Sequence, residues 1–176
     1  KGYAGSSVSD LLTATGLQKG GLYRHFESKE EIALQAFDYA WALAWDTLQQ
    51  AIDLNASPKM QLAQFFQAFC QHQEARIPGG CPLLNTAIEA DDGNPALRQK
   101  AQAALQGWLF FLETLIRQGI DNGELSATIA PHSTASCVIA MLEGAVMISC
   151  LSGSQAALEA ASAFWLDWLD AQAAPS

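Results

Sequence analysis

Basic residues are scarce in this chain: nine lysines and arginines stand against eighteen aspartates and glutamates, a formal charge of −9 over 176 residues. Taken whole, that charge argues against a nucleic-acid partner, since phosphates are met by lysine and arginine. Long apolar runs are also missing. The most apolar segment, Cys137 to Leu151, spans about 15 residues, contains Glu143, and falls short of the roughly 18 needed to cross a bilayer. No membrane span is therefore expected, and no secretory leader opens the sequence. The four cysteines, Cys70, Cys81, Cys137 and Cys150, form no CxxC pair and share no metal-ligand spacing with His25, His72 or His132. Reduced thiols in the cytoplasm and no bound metal are the expectation. Neither a Ser-His-Asp order nor a phosphate loop appears, so no enzyme activity and no cofactor are expected. Internal repeats and low-complexity linkers are absent.

Half of the residues are apolar and 15% are charged, ordinary proportions for a chain that buries a core in one or two domains. Alanine, leucine and glutamine dominate while β-branched runs are few, which favours an all-α fold. The charge is unevenly spread. Residues 1–35 carry four basic and four acidic groups and are neutral, whereas residues 36–176 carry five and fourteen. A small head able to approach DNA, set on an acidic body that repels it, fits that division.

Cap residues mark the helices. Ser6 or Ser7 opens a short helix that stops at Thr15-Gly16, where glycine supplies a left-handed C-cap. A second short helix is predicted from about Lys19 to Phe26. Ser28 opens a long third, with Glu31 completing a capping box, and its apolar stripe from Ile32 to Ile52 ends near Asn55. Ser57-Pro58 and Asn94-Pro95 each pair a cap with a first-turn proline, and Pro78-Gly79-Gly80 separates the first of these helices from one over about Pro82 to Ala90. The Asn94 helix runs to about Asn122-Gly123. Pro131 begins another that ends near Ser152-Gly153, and Ser154 caps the last, which ends by Ala171. Eight helices and no strand are predicted, with one further helix expected ahead of Lys1.

The first two helices, joined by a tight turn at Gly16, suit a helix-turn-helix that lays its second helix in a major groove. Val8, Leu11, Leu12, Leu17, Leu22 and Phe26 would lock the pair, leaving Gln18, Lys19, Tyr23, Arg24 and His25 outward. Gly20 and Gly21 cost roughly 2 kcal/mol together relative to alanine, so they point to close approach to a surface. The run Gly2, Ser6, Ser7, Val8, Asp10, Leu11, Gly16, Leu17, Lys19, Gly20, Leu22, Tyr23, His25, Phe26, Ser28, Lys29 and Ile32 resembles the amino-terminal pattern of the TetR family of transcriptional regulators over about 30 residues. Two positions depart from it: Ile32 where leucine is common, and Gly21 where threonine or serine is common.

The resemblance implies a helix-turn-helix DNA-binding domain over 1–35 and a helical effector-binding and dimerisation domain over 36–176. It further implies a homodimer that binds double-stranded operator DNA, most simply a repressor released by a small molecule. Ser7, Gln18, Lys19, Gly20, Gly21, Tyr23, Arg24, His25 and Lys29 become the DNA-facing set. Tyr23 would bond a phosphate, and Lys29 would hold one at the next helix start.

In the body, Val138, Met141, Ala145, Ile148, Leu158, Trp165 and Trp168 lie on two helices that are apolar on more than one face, as a two-protomer four-helix bundle requires. Phe66, Phe69, Trp108 and Phe111 are the candidate lining of a pocket for an apolar or aromatic effector, with Asn85, Thr86 and Glu89 as orienting groups. Cys81, in Gly79-Gly80-Cys81-Pro82, carries an alternative. A thiol at a glycine-rich helix start ionises more readily and suits a thiol- or electrophile-sensing regulator.

Overall fold

Cap chemistry places the helices, and the computed structural model follows most of the boundaries expected from it. It describes residues 5–74, 80–90 and 93–173, with backbone alone for 72–74. Gly2, Pro78, Gly79 and the side chain of His72 lie outside the described residues. The elements are α1 (Val8–Thr15), α2 (Lys19–Leu22), α3 (Lys29–Gln50), α4 (Pro58–Glu74), α5 (Pro82–Ala90), α6 (Pro95–Asp121), α7 (Pro131–Ser152) and α8 (Ala156–Ala171). Ser7 caps α1 through a reciprocal box: its hydroxyl accepts from the Asp10 N–H at 3.1 Å, and the Asp10 carboxylate accepts from the Ser7 N–H at 2.8 Å. Gly16 ends the helix at φ 69°. At α3 the Ser28 hydroxyl accepts from the Glu31 N–H at 3.0 Å, while the Glu31 carboxylate reaches back one residue further, to the Glu27 N–H.

Four expectations need correction. The second helix is four residues long rather than eight. Two adjacent glycines weaken its propensity, so Tyr23, Arg24 and His25 continue as turns. The third helix stops at Gln50, short of Asn55. The last begins at Ala156 rather than Ser154, whose hydroxyl instead accepts from the Ala156 N–H at 3.3 Å in a local turn. Finally, α7 extends the apolar run to 22 residues, long and apolar enough by length and composition to cross a membrane. Its Ala135, Val138, Leu142 and Val146 are buried within the chain, which is how a core helix meets the same test.

By packing, the chain divides into two units: Lys1–Leu43 with Pro82–Ala104, and Ala44–Cys81 with Leu105–Ser176. The first is larger than a head ending at residue 35, because α5 and the start of α6 pack with the first half of α3; Lys100 pairs with Asp38 across that seam. In the second unit α4, α7 and α8 form the frame. Phe66 stacks on Trp165 with centroids 5.7 Å apart, and Trp165 on Trp168 at 5.0 Å. The Trp165 indole N–H donates to the Leu62 carbonyl at 3.4 Å, and the Cys70 thiol to the Leu158 carbonyl at 3.7 Å. Gly119 lets α6 meet the loop after it: a methyl group there would stand 2.8 Å from Leu125 Cδ1.

Candidate functional site

The head presents one polar surface. Leu22 is 4% exposed and anchors α2 from within, while Gln18, Lys19, Gly20, Tyr23, Arg24 and His25 around it are exposed. Backbone bonds hold this stretch, among them Leu22 N–H to the Gln18 carbonyl, Tyr23 N–H to Lys19, and the His25 and Phe26 N–H groups to Leu22, these four at 3.1–3.2 Å. Tyr23 is 42% exposed. Gly20 and Gly21 are informative for what they do not touch. A Cβ at either would find nothing within 4 Å, and neither has a positive φ, so the protein's own packing and backbone do not require glycine there. The hydroxyl of Ser7 is engaged in the α1 cap, which leaves its exposed backbone rather than its Oγ for any outside contact. Lys29 is half-buried at the first position of α3.

Behind that surface, in the same unit, lies a cleft of about 330 Å³. Leu11, Ile32, Phe37 and Leu97 form its apolar wall, and Lys29, Asn85, Thr86 and Glu89 its polar one. Asn85 therefore belongs to the head unit, whereas Phe66, Phe69, Cys81, Trp108 and Phe111 belong to the other.

In the body those aromatic residues meet. Trp108 stacks on Phe69 at 5.5 Å and tilts against Phe65 at 6.1 Å, and Phe65 touches Phe111 at 5.4 Å. Trp45, which the sequence pattern did not single out, closes the group edge-on against Phe111 at 5.3 Å. Trp108, Phe65 and Phe66 are each 1% exposed, so they also carry the core, at about 3–5 kcal/mol for truncation to alanine. A second residue missed in the sequence is Glu143. Both of its carboxylate oxygens are shut off from solvent without a well-formed hydrogen bond. Burial pushes its pKa up, against a smaller opposing effect of the Cys81 thiol.

The dimer candidates divide. Val138, Ala145, Leu158 and Trp165 are 1–5% exposed inside the protomer, so they fill its own core and offer a partner little. Met141 and Trp168 are half-buried and Ile148 is 51% exposed. The apolar surface continues through Met147, Leu151 and Phe164, at 51%, 82% and 62%, none of them among the sequence candidates.

Residues 58–165 match the family described as Tetracyclin repressor-like, C-terminal domain, and residues 1–36 match bacterial regulatory proteins, tetR family. The chain belongs to the TetR family. A TetR regulator from Chloroflexus aurantiacus is 38% identical, with a TM-score of 0.92 over 99% of this chain and 88% of its own. One from Cytophaga hutchinsonii is 34% identical, with a TM-score of 0.89 and the same coverage. Among curated relatives, the transcriptional repressor DhaR of Mycobacterium sp. (strain GP1) is 26% identical over 84% of this chain and 73% of its own length. TetR-family proteins are DNA-binding transcriptional regulators and homodimers with a ligand-binding carboxyl-terminal domain. The helix-turn-helix belongs to the segment that matches the amino-terminal family model, residues 1–36, which holds α1 and α2.

Proposed function

We propose that this TetR regulator works in the cytoplasm as a repressor, and that it grips operator DNA through Gln18, Lys19, Tyr23, Arg24, His25 and Lys29. The observation that carries this reading is the pair Gly20-Gly21. The chain gives up helix propensity at two positions, Gly20 exposed and Gly21 half-buried, where its own atoms leave room for a side chain, and an outside surface at close range explains the cost. Lys19 and Gln18 at the start of α2 face base edges; Tyr23, Arg24 and His25 face the backbone. Lys29 meets a phosphate at the start of α3, where ammonium and helix dipole add.

A homodimer holds two such heads about 34–36 Å apart to meet successive major grooves. Its interface forms on Met141, Met147, Ile148, Leu151, Phe164 and Trp168. The effector is apolar or aromatic and binds in the body, at the group formed by Phe69, Trp108 and Phe111. Because α3 and α6 each have residues in both units, a ligand that favours one arrangement of these helices changes the spacing of the heads. A hundredfold loss of operator affinity requires about 2.7 kcal/mol of differential binding.

Fluorescence anisotropy with the DNA upstream of the regulator's own gene, against scrambled DNA, tests the reading. Lys29→Ala is expected to weaken both and to reduce the slope of log affinity against log salt by about one. Lys19→Ala is expected to erase the preference between the two. Equal affinity of the wild-type protein for both DNAs at physiological salt would overturn it.

A further inference from the structure

The outer face of α7 changes in bulk along its length. Ser133, Cys137 and Ala140 are small and exposed at one end. Met147, Ile148 and Leu151 are large and exposed at the other, at 51%, 51% and 82%. Gly144 sits midway, seven positions from Cys137 and seven from Leu151, and helical spacing puts the three on one stripe. A Cβ at Gly144 would meet nothing within 4 Å, and its φ is not positive. The protomer itself therefore does not require glycine in the middle of this helix, where it is destabilising relative to alanine. At the small end a cleft of about 230 Å³ opens beside Cys137, walled by Thr134, Met141, Phe164 and Trp168.

A second copy of the chain suits this face. Glu143 is the one charged residue from 133 to 152, and its carboxylate oxygens are shut off from solvent. Residues 36–176 hold fourteen acidic groups against five basic ones, so two copies repel over much of the body and approach at least cost here. An isologous contact sets the same face against itself. Parallel helices would press the large ends together and leave a void between the small ones. Antiparallel helices lay each large end on the partner's small end, which close packing favours.

We propose that α7 crosses its copy close to antiparallel at Gly144, so that Leu151 of each protomer fills the cleft beside the partner's Cys137. Ala140 then lies opposite the partner's Ile148, and Met141 opposite the partner's Met147. Glycine at the crossing brings the two helix axes to the near end of the usual separation of about 8–10 Å. The proposal rests on the dimer reading above and adds its register.

Cys137 and Leu151 lie about 21 Å apart along one helix, well beyond the Cα separation of about 7 Å that a disulfide can span. A disulfide between these two positions therefore joins two protomers. The full chain carrying Cys150→Ser and Leu151→Cys is oxidised with copper phenanthroline and run on a non-reducing gel. Covalent dimer is expected to be the main species, and adding Cys137→Ser is expected to reduce it at least tenfold. A link that survives Cys137→Ser joins position 151 to its own copy, the parallel arrangement, and overturns the proposal. So does the absence of any link. Gly144→Leu, whose side chain has open space in the protomer, is expected to raise the dimer Kd at least tenfold with the helical circular dichroism unchanged; an unchanged Kd overturns the crossing point. Sedimentation of the wild-type chain separates the two failures. A dimer whose variant gives no link overturns the crossing alone, whereas a monomer overturns the dimer reading with it.

Discussion

Gly20→Ala separates what α2 gains for the fold from what it gains for DNA. The added methyl meets nothing within 4 Å of the chain, and the backbone at Gly20 is in no left-handed region, so no strain follows. Alanine is the better helix former by about 1 kcal/mol and restricts the unfolded chain more. In a helix of four residues some of that gain is lost to fraying, leaving about 0.5–1 kcal/mol. For a chain of this size that raises Tm by about 1–4 °C. Operator affinity moves the opposite way. A methyl group interposed where backbone meets the groove displaces the neighbouring contacts, and loss of one or two at about 1–1.5 kcal/mol each lowers affinity roughly tenfold to a hundredfold. The assay is one preparation read twice, by differential scanning calorimetry and by anisotropy on labelled operator. A variant that melts higher and binds as well as wild type would refute the argument. The glycines would then serve neither packing nor approach.

Three other perturbations have expected outcomes. Gly119→Ala should destabilise by about 1–3 kcal/mol, seen as a lower urea midpoint at unchanged m-value, because the new methyl stands 2.8 Å from the buried Leu125 side chain. Leu151→Asp combined with Phe164→Asp should give a folded monomer by sedimentation, since both side chains are exposed in the protomer, whereas Trp165→Asp should unfold it; a persistent dimer in the double variant would displace the interface from α7 and α8. Glu143→Gln should raise Tm at pH 8 and change it little at pH 4: with its folded pKa above the unfolded value, Glu143 holds its proton in the folded chain after the unfolded chain has lost it, so stability falls as pH rises from the ordinary carboxylate range to the raised pKa, and glutamine removes that loss. An equal Tm gain at both pH values would refute the assignment.

Much of the fold was legible because its signals are local. A serine with an acid three residues on, a cap followed by proline, and a glycine at a helix end each act within one turn; α1, α3, α4 and α6 begin where those signals stand, and α5 and α7 begin at a proline. The exposed polar surface of the head was legible for the same reason: Leu22 lies inward and Lys19, Tyr23 and His25 outward, as the pattern of this single short segment indicates. The length of α2 was less legible, because Gly20-Gly21 permits close approach and at the same time lowers the propensity that would extend the helix.

What the pattern could not supply is direction on a helix that is apolar all round. Along α7, Val138, Ala145, Met147 and Leu151 are chemically alike, and no period distinguishes the face that meets α4 and α8 from the face left to a partner. Only the packed neighbours decide, and they put Val138 and Ala145 inside and Met147 and Leu151 out. Glu143 escaped for a related reason. In sequence it reads as a flaw in an apolar run; its chemistry comes from burial, which packing decides and no local pattern announces. An apolar helix carrying one acid has two physical readings, a side chain that escapes to water or one that stays buried. Its sealed oxygens favour the second. An acid that escaped to water would keep an ordinary pKa and cost the fold nothing, whereas this one is held above it by burial, and that difference is what the pH dependence of Glu143→Gln measures.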